Sequence, residues 1–229
     1  AFPLTFPTVV AIDGPGASGK TAVSRLLSHK LGYRCLDTGN MYRAITWMAI
    51  AKSVKLQDQD GLSNLAMETI IEVSWKDPQQ VTANGADITA MLRIPKVEEA
   101  VSLVAQVRGV RKALVRQQRE IASQGMVIVV GRDIGTVVLP EAPLKVFLNA
   151  SVQERALRRH LEIQMGGGQT TFEKVLLDLQ NRDAIDIHRA MSPLRPARDA
   201  HVIDTDSIGI EEVVDQILNL TKGNNATDI

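Results

Sequence analysis

The stretch Thr8-Val9-Val10-Ala11-Ile12-Asp13-Gly14-Pro15-Gly16-Ala17-Ser18-Gly19-Lys20-Thr21 opens on a short β-branched apolar run and passes straight into a glycine-rich turn. A run of that kind suits a strand buried in a parallel sheet. From Gly14 to Thr21 the pattern is G-x-x-x-x-G-K-T, and Val23, Leu26, Leu27, Lys30 and Leu31 mark a following helix that stops at Gly32. Strand, loop and helix in that order are the context a phosphate-binding loop requires. Glycines let the backbone curl so that successive N–H groups point at phosphate oxygens, and the helix N-terminus adds about half a positive charge there. In such a loop Lys20 reaches the β- and γ-phosphates of a nucleoside triphosphate, and the Thr21 hydroxyl ligates Mg²⁺. At average residue usage the pattern arises by chance in roughly one chain of this length in a hundred.

Outward from the loop, 33–36 reads as a second strand, followed by Asp37-Thr38-Gly39 and a helix over about 41–52. This is the rhythm of an α/β fold. The middle breaks it: 71–75 and 81–83 alternate, and Asn84-Gly85 is a strong hairpin signal, so a small antiparallel insert is expected. Helices over about 95–107 and 110–123 precede buried-looking strands at 126–130 and 144–148. The pattern at 152–165 is helical and ends at Gly166-Gly167-Gly168, with another helix over 172–187 beyond. Two helices flanking a glycine hinge have the form of a movable lid. A last strand at 201–204, a closing helix over 210–221 and a frayed polar tail at 223–229 complete the chain.

Composition narrows the partners. The chain has 229 residues, enough for a sizeable core and one to two domains. Lys+Arg and Asp+Glu are both 26, so no overall basic field exists to hold a nucleic acid or a membrane surface. Aromatic residues make up 3%, too few for a platform on which single-stranded bases stack. The longest apolar runs, 44–51 and 126–130, fall far short of the roughly 20 residues that span a bilayer. The opening Ala1-Phe2-Pro3-Leu4-Thr5 lacks the regions of a signal peptide, and the lone Cys35 cannot form an internal disulfide. A cytoplasmic protein is the expectation. His29, His160, His188 and His201 have no metal-site spacing and read as structural or exposed, and Cys35 reads as a small core residue on the second strand.

A phosphoryl group in transfer carries several negative charges, so arginines must converge on donor and acceptor. Arg43 comes soon after the second strand, Arg132 just after the strand at 126–130, and Arg155, Arg158 and Arg159 share the first lid helix. Arg182, Asp186 and Arg189 stand at i, i+4 and i+7, one face of the second lid helix. Solvated surface pairing would explain Arg155, Arg158 and Arg159 equally well. Arg132 sits at the C-terminal end of a buried strand, where α/β folds bind ligands.

Together, Ile12-Asp13-Gly14-Pro15, Leu36-Asp37-Thr38-Gly39-Asn40-Met41-Tyr42-Arg43, Gly85-Ala86-Asp87-Ile88-Thr89, Gly131-Arg132-Asp133-Ile134-Gly135-Thr136-Val137-Val138, Arg182-Asp183 and Ser192-Pro193-Leu194 resemble bacterial cytidylate (CMP/dCMP) kinases nearly end to end. The G-R-D-I-G-T block with D-T-G-x-M-Y-R is far more selective than the loop alone. The resemblance implies a P-loop NTPase-type parallel sheet core flanked by helices, with a small antiparallel NMP-binding insert and a helical lid. It divides the chain into a core at about 1–60, 108–150 and 196–222, an insert at 61–107 and a lid at 151–195. It implies transfer of the γ-phosphoryl group of ATP, with Mg²⁺, to CMP or dCMP.

By the same resemblance, ATP would lie on Gly14, Pro15, Gly16, Ala17, Ser18, Gly19, Lys20, Thr21 and Ala22, with Arg158. Lys20, Arg132, Arg155, Arg159, Arg182 and Arg189 would serve the transfer. Thr38, Tyr42, Arg43, Arg132 and Arg189 would surround the acceptor phosphate, and Asp186 with Arg182 would contact ribose and phosphates. Ser102, Arg111 and Asp133 would read cytosine, whose N4 amino group donates while N3 and O2 accept; on residue type alone, Ser102 and Arg111 read as helix-surface residues. Uracil reverses N3 and N4 and would leave buried groups unpaired. No side-chain base is needed, because the acceptor oxygen is already largely ionised near neutral pH.

Two departures stand out. Where many relatives carry an acidic residue before the G-R-D block this chain has Val130, leaving Asp13 and Asp37 as candidates for ordering waters on the metal. Ala22 replaces a second hydroxyl, so Thr21 alone must serve the metal. Rival readings are a P-loop kinase for another small acceptor and a nucleotide-hydrolysing switch; the arginines and the absence of an evident water-positioning segment argue against the switch. A small-molecule enzyme acting as a monomer, binding neither nucleic acid nor membrane, is the expectation. Lys20→Ala is expected to lower turnover by several orders of magnitude with an unchanged circular dichroism spectrum; near-normal turnover would remove the loop from the chemistry.

Overall fold

A computed structural model describes residues 6–75 and 79–220. Residues 1–5, Thr221 of the expected closing helix and the tail expected at 223–229 lie outside the described residues. The chain divides into two compact units. The first takes the chain up to Cys35, Gly125–His188 and the chain from Ser192; the second takes Leu36–Gln124 with Arg189–Met191.

The first unit is built on β1 (Val9–Asp13), which leads through the glycine-rich loop into α1 (Lys20–Leu31). β2 (Arg34–Asp37), β6 (Val127–Gly131), β7 (Leu144–Asn149) and β8 (His201–Asp204) complete a five-stranded parallel sheet in the order β2-β6-β1-β7-β8. β1 is the middle strand, and Val10, Ala11 and Ile12 are fully buried there, as a strand covered on both faces demands. α1 and α8 (Ile210–Leu220) pack together, and Leu27, Val213, Val214 and Ile217 join Ile12, Ile128, Val146 and Leu148 in one core. Cys35 is a half-buried thiol, in no disulfide, against that core.

α6 (Val152–Met165) and α7 (Phe172–His188) form a helical pair with its own small core of Ala156, Val175 and Leu179. Ser151 caps α6 by accepting from Glu154 N–H, and the chain leaves through Gly166-Gly167-Gly168, where Gly168 N–H returns to Ile163 C=O at 2.9 Å. α7 ends at His188, so Arg189 lies past the helix and belongs to the second unit. The expectation that Arg182, Asp186 and Arg189 share one helical face is corrected: only the first two do.

In the second unit α2 (Thr38–Ala51) begins with Asp37 accepting from Gly39 N–H. α3 (Gln59–Glu68), capped by Asp58, had no counterpart in the sequence reading; its Gly61 and mostly polar first turn hide a short amphipathic helix that buries Leu62, Leu65 and Ala66. β3 (Ile71–Val73), β4 (Val81–Ala83) and β5 (Ala86–Asp87) make the antiparallel sheet, turned by Asn84 and Gly85 at φ 49° and 81°. β3 stops at Val73, short of the expected Trp75. α4 (Pro95–Val104) is shorter than expected, since Val107 takes an extended conformation to start α5 (Arg108–Ala122). α3 packs on α5 and α2 on α4. Among the described residues no helix is long and apolar enough to cross a membrane.

Leu27 is fully buried in the core beneath the sheet, whereas Leu161 on α6 is half exposed. Leu27→Ala is expected to cost about 2–5 kcal/mol in urea unfolding and Leu161→Ala less than about 0.5 kcal/mol; equal losses would contradict this assignment of the core.

Candidate active site

The parallel register sets Asp13 opposite Gly131, so the loop that begins at Gly14 and the segment that begins at Arg132 leave neighbouring strands side by side. Inside the loop, Lys20 Nζ donates to Ser18 Oγ at 3.3 Å and to Pro15 C=O at 2.5 Å. The ammonium is thus folded over the loop's own oxygens, the position from which it can turn to phosphate. Gly19 takes φ 88° at the start of α1, and Thr21 on its first turn is exposed.

Arginines gather at Gly16. A methyl placed there would sit 3.5 Å from Arg132 Nη2 and from Leu179 Cδ2, and 4.0 Å from Arg182 Cδ. Arg132 also pairs with the buried carboxylate of Asp186 on α7, whose backbone C=O accepts from Leu194 N–H at 2.8 Å. Arg155, only 4% exposed, donates to Gly16 C=O at 3.1 Å, to Ala150 C=O at 3.0 Å and through both Nη atoms to Asp183, at 3.2 and 2.6 Å. One guanidinium therefore joins α6, α7 and the loop. The surface reading of Arg155 is overturned by this burial.

Arg158 and Arg159 do not join that group. Arg158 donates to Glu154 at 3.0 Å and to the Thr205 hydroxyl at 3.0 Å, and it also bonds the Thr205 carbonyl, at the end of β8. Arg159 pairs with Glu162 within its own helix at 3.2 Å, as a solvated surface arginine does.

Asp13 and Asp133 are both buried. The two oxygens of Asp13 accept from Ile134 N–H and Gly135 N–H, each at 2.8 Å. Burial pushes its carboxyl up from 3.8 to about 6 against the pull of those two amides; Asp133 nearby raises it further and Lys20 lowers it. Asp133 stands at the start of a π-helical turn, Ile134–Val138, to which its side chain gives no capping bond. Each oxygen of Asp13 thus accepts one backbone amide, and Asp37, the other candidate for the metal's waters, accepts from Gly39 N–H at the start of α2. Among the described residues no three His, Cys, Asp or Glu side chains group to hold a metal. His188 Nδ1 lies 2.9 Å from Ala184 C=O, and His160 meets the edge of Phe172.

The second unit carries a different set. Thr38 opens α2, and the buried Arg43 bonds Glu98 through Nε at 2.8 Å and Nη2 at 3.4 Å. Gly39 allows this arginine to lie close, since a methyl there would fall 2.8 Å from Arg43 Nη1. The Arg111 guanidinium, 3% exposed, stacks 5.4 Å from the centroid of the Tyr42 ring and donates to Ala105 C=O at 3.2 Å. Ser102 is half-buried on α4, and Arg189 is buried. Glu98 and Asp183 are partners that sequence reasoning missed as site elements. Asp183 stands beside Arg182 in the sequence, whereas Glu98 lies 55 residues from Arg43 with no local signal.

A loop of this kind on the middle strand of a parallel sheet, faced by arginines, defines a P-loop kinase. The fold agrees with solved structures of a gluconokinase from Sinorhizobium meliloti (14% identity, TM-score 0.51, 98% of this chain and 99% of that one) and of shikimate kinase from Acinetobacter baumannii in complex with shikimate (15% identity, TM-score 0.50, 97% of each). Residues 10–223 match the family model described as cytidylate kinase. The cytidylate kinase of Shouchella clausii is 47% identical over 214 residues, 93% of this chain and 95% of that protein. That of Bacillus subtilis is 44% identical over 210 residues, 91% and 94% of the two chains. The chain belongs to the cytidylate kinase family.

Removing Arg155 would strand a mostly buried Asp183. Arg155→Met is expected to cost about 2–3 kcal/mol of stability, discounted from the usual cost of breaking a buried pair for the partial exposure of Asp183. The double variant with Asp183→Leu should recover about 1 kcal/mol or more in denaturant unfolding; strictly additive losses would contradict the pairing.

Proposed function

We propose that the chain transfers the γ-phosphoryl group of ATP to CMP or dCMP, giving CDP or dCDP and ADP. The observation that supports this reading is the approach of two guanidinium groups to Gly16: Arg132 Nη2 lies 3.5 Å from where a methyl on Gly16 would sit, and Arg155 Nη1 donates to Gly16 C=O at 3.1 Å. A switch that hydrolyses nucleotide has no need of such a cluster; an acceptor anion does.

Gly14 to Ala22 would cradle the ATP phosphates, with Lys20 turning from the carbonyl of Pro15 to the β- and γ-oxygens. Arg155 and Arg182 would balance the charge of the transferring group; Arg159 would have to leave Glu162 to join them, and Arg158 to leave Thr205 to assist ATP. Thr38, Tyr42, Arg43, Arg132 and Arg189 would hold the acceptor phosphate. Arg43 and Arg132 are already paired with Glu98 and Asp186, so the phosphate dianion would meet guanidinium groups held in place by carboxylates. Asp186 with Arg182 would contact the ribose, and Ser102, Arg111 and Asp133 would read cytosine. The Tyr42 ring against Arg111 supports this, since it would hold a planar donor of the shape that N3 and O2 of cytosine call for.

Mg²⁺ fits the residues present. Thr21 offers one exposed hydroxyl at the loop, and no acidic cage competes among the described residues; Mg²⁺ characteristically takes one or two protein ligands, phosphate oxygens and waters. When bound, Mg²⁺ neutralises charge on the β- and γ-phosphates. The acceptor phosphate oxygen is largely ionised near neutral pH and needs no side-chain base; the transfer would be its in-line attack on the γ-phosphorus, with ADP as the leaving group.

On this reading 61–107 is the NMP-binding insert and 151–195 the lid that excludes water, on a core of about 1–60, 108–150 and 196–222. We place the enzyme in the cytoplasm as a monomer; nucleotide chemistry and a single thiol suit a reducing compartment. Its partners are small molecules, not nucleic acid.

A coupled ADP-release assay with ATP, Mg²⁺ and each nucleoside monophosphate should rank CMP and dCMP first; a better acceptor among AMP, UMP or GMP would sink the substrate assignment. Arg111→Met and Asp133→Ala should each depress turnover of CMP far more than ATP affinity, and should narrow the preference for CMP over UMP. Equal loss for both acceptors would rule out base reading.

A further inference from the structure

We propose that Asp13 is a positioning residue, which ties the segment bearing Arg132 and Asp133 to the start of the phosphate-binding loop by accepting the amide hydrogens of Ile134 and Gly135. Asp13 is the last residue of β1, directly before Gly14, and is only 4% exposed. Arg132 and Asp133 directly precede the two amides that it holds, each at 2.8 Å. The first N–H groups of any helical turn have no partner within the turn, and an aspartate at the capping position is the usual remedy. Asp133 occupies that position and provides no cap. The Asp13 carboxylate at the end of β1 supplies those bonds instead.

The packing admits little else. Gly135 is pressed between Asp13 and β7: a methyl there would fall 3.4 Å from Asp13 Oδ2 and 3.2 and 3.3 Å from the stem of Lys145. The Lys145 ammonium is turned away, to Pro140 C=O and to Asp199 Oδ2 at 2.7 Å, so it does not neutralise Asp13. The charged groups that act on Asp13 are Asp133, which favours its proton, and Lys20, which disfavours it.

Burial raises the Asp13 carboxyl to about 6. For an acid with a raised value, the neutral form is the one folding favours, so its stabilising contribution is full below about 4 and is lost as pH rises through about 6. The ionised form is the better double acceptor, so acid loosens the clasp while alkali tightens it.

The kinetic part of the test rests on the proposed reaction; the spectroscopic part does not. In a ¹H–¹⁵N titration of the full chain, the amides of Ile134 and Gly135 should shift together with a midpoint near 6, and Asp13→Asn should abolish that transition. In the same variant kcat with CMP should fall about 10- to 100-fold and KM for CMP should rise. The affinity for ATP·Mg²⁺, measured by calorimetry without acceptor, should stay within about threefold. Should Asp13→Asn not fold, the titration of the wild-type amides decides alone: no common midpoint overturns the clasp. A loss of ATP affinity that grows as Mg²⁺ is lowered, with CMP parameters unchanged, would assign Asp13 to the metal and overturn the proposal. A wild-type chain that does not phosphorylate CMP would overturn the proposed reaction while leaving the amide titration to judge the clasp.

Discussion

Everything in the first unit depends on the parallel pairing of β1 with β6, in which Asp13 faces Gly131. Parallel strands end at the same edge, so this one register sends the glycine-rich loop and the arginine-bearing segment out of the sheet together. Shifting it by one residue would exchange the side chains packed on the two covered faces, where volumes are matched, and move Arg132 away from Gly16. The full burial of Val10, Ala11, Ile12, Ile128 and Val129 is what makes that shift prohibitive. The core thus holds the chemistry in place through hydrophobic packing rather than through any contact within the site.

At that edge of the first unit the arginines are anchored by carboxylates: Arg132 rests on Asp186 and Arg155 on Asp183. Within the second unit Arg43 rests on Glu98 in the same way. Such pairs add little to stability, because desolvation offsets much of the attraction. Their value lies in orientation: a guanidinium fork held by one carboxylate has already lost its rotamer freedom before a phosphate arrives. This is the electrostatic preorganisation that phosphoryl transfer needs, since the transition state forms few new covalent demands on the protein.

Local signals made much of this legible in the sequence. β1, the loop and α1 are consecutive, and their apolar runs and glycines are read in one window; α6 begins and ends at the residues that its pattern suggested. The hairpin at Asn84-Gly85 was equally plain. α3 was not, because Gly61 and a polar first turn weaken a helix that survives through its packing on α5. Arg189 looked like the next step on the α7 face, but the helix ends one residue earlier, a boundary that periodicity does not fix. The pairs Arg43–Glu98 and Arg155–Asp183 span 55 and 28 residues, and the Asp13 clasp spans 121 and 122 residues; spacing along the chain holds no trace of them. Ser102, Arg111 and Asp133 were named by family resemblance alone; the burial of Arg111 against Tyr42, in place of a helix-surface position, is a tertiary fact that its residue type does not announce.

The account stands or falls on where the γ-phosphoryl group goes. Full-length chain given γ-³²P-labelled ATP, Mg²⁺ and CMP should move the label into the β-position of CDP, one equivalent for each ADP formed. Label released as inorganic phosphate, at the same rate with or without CMP, would contradict it.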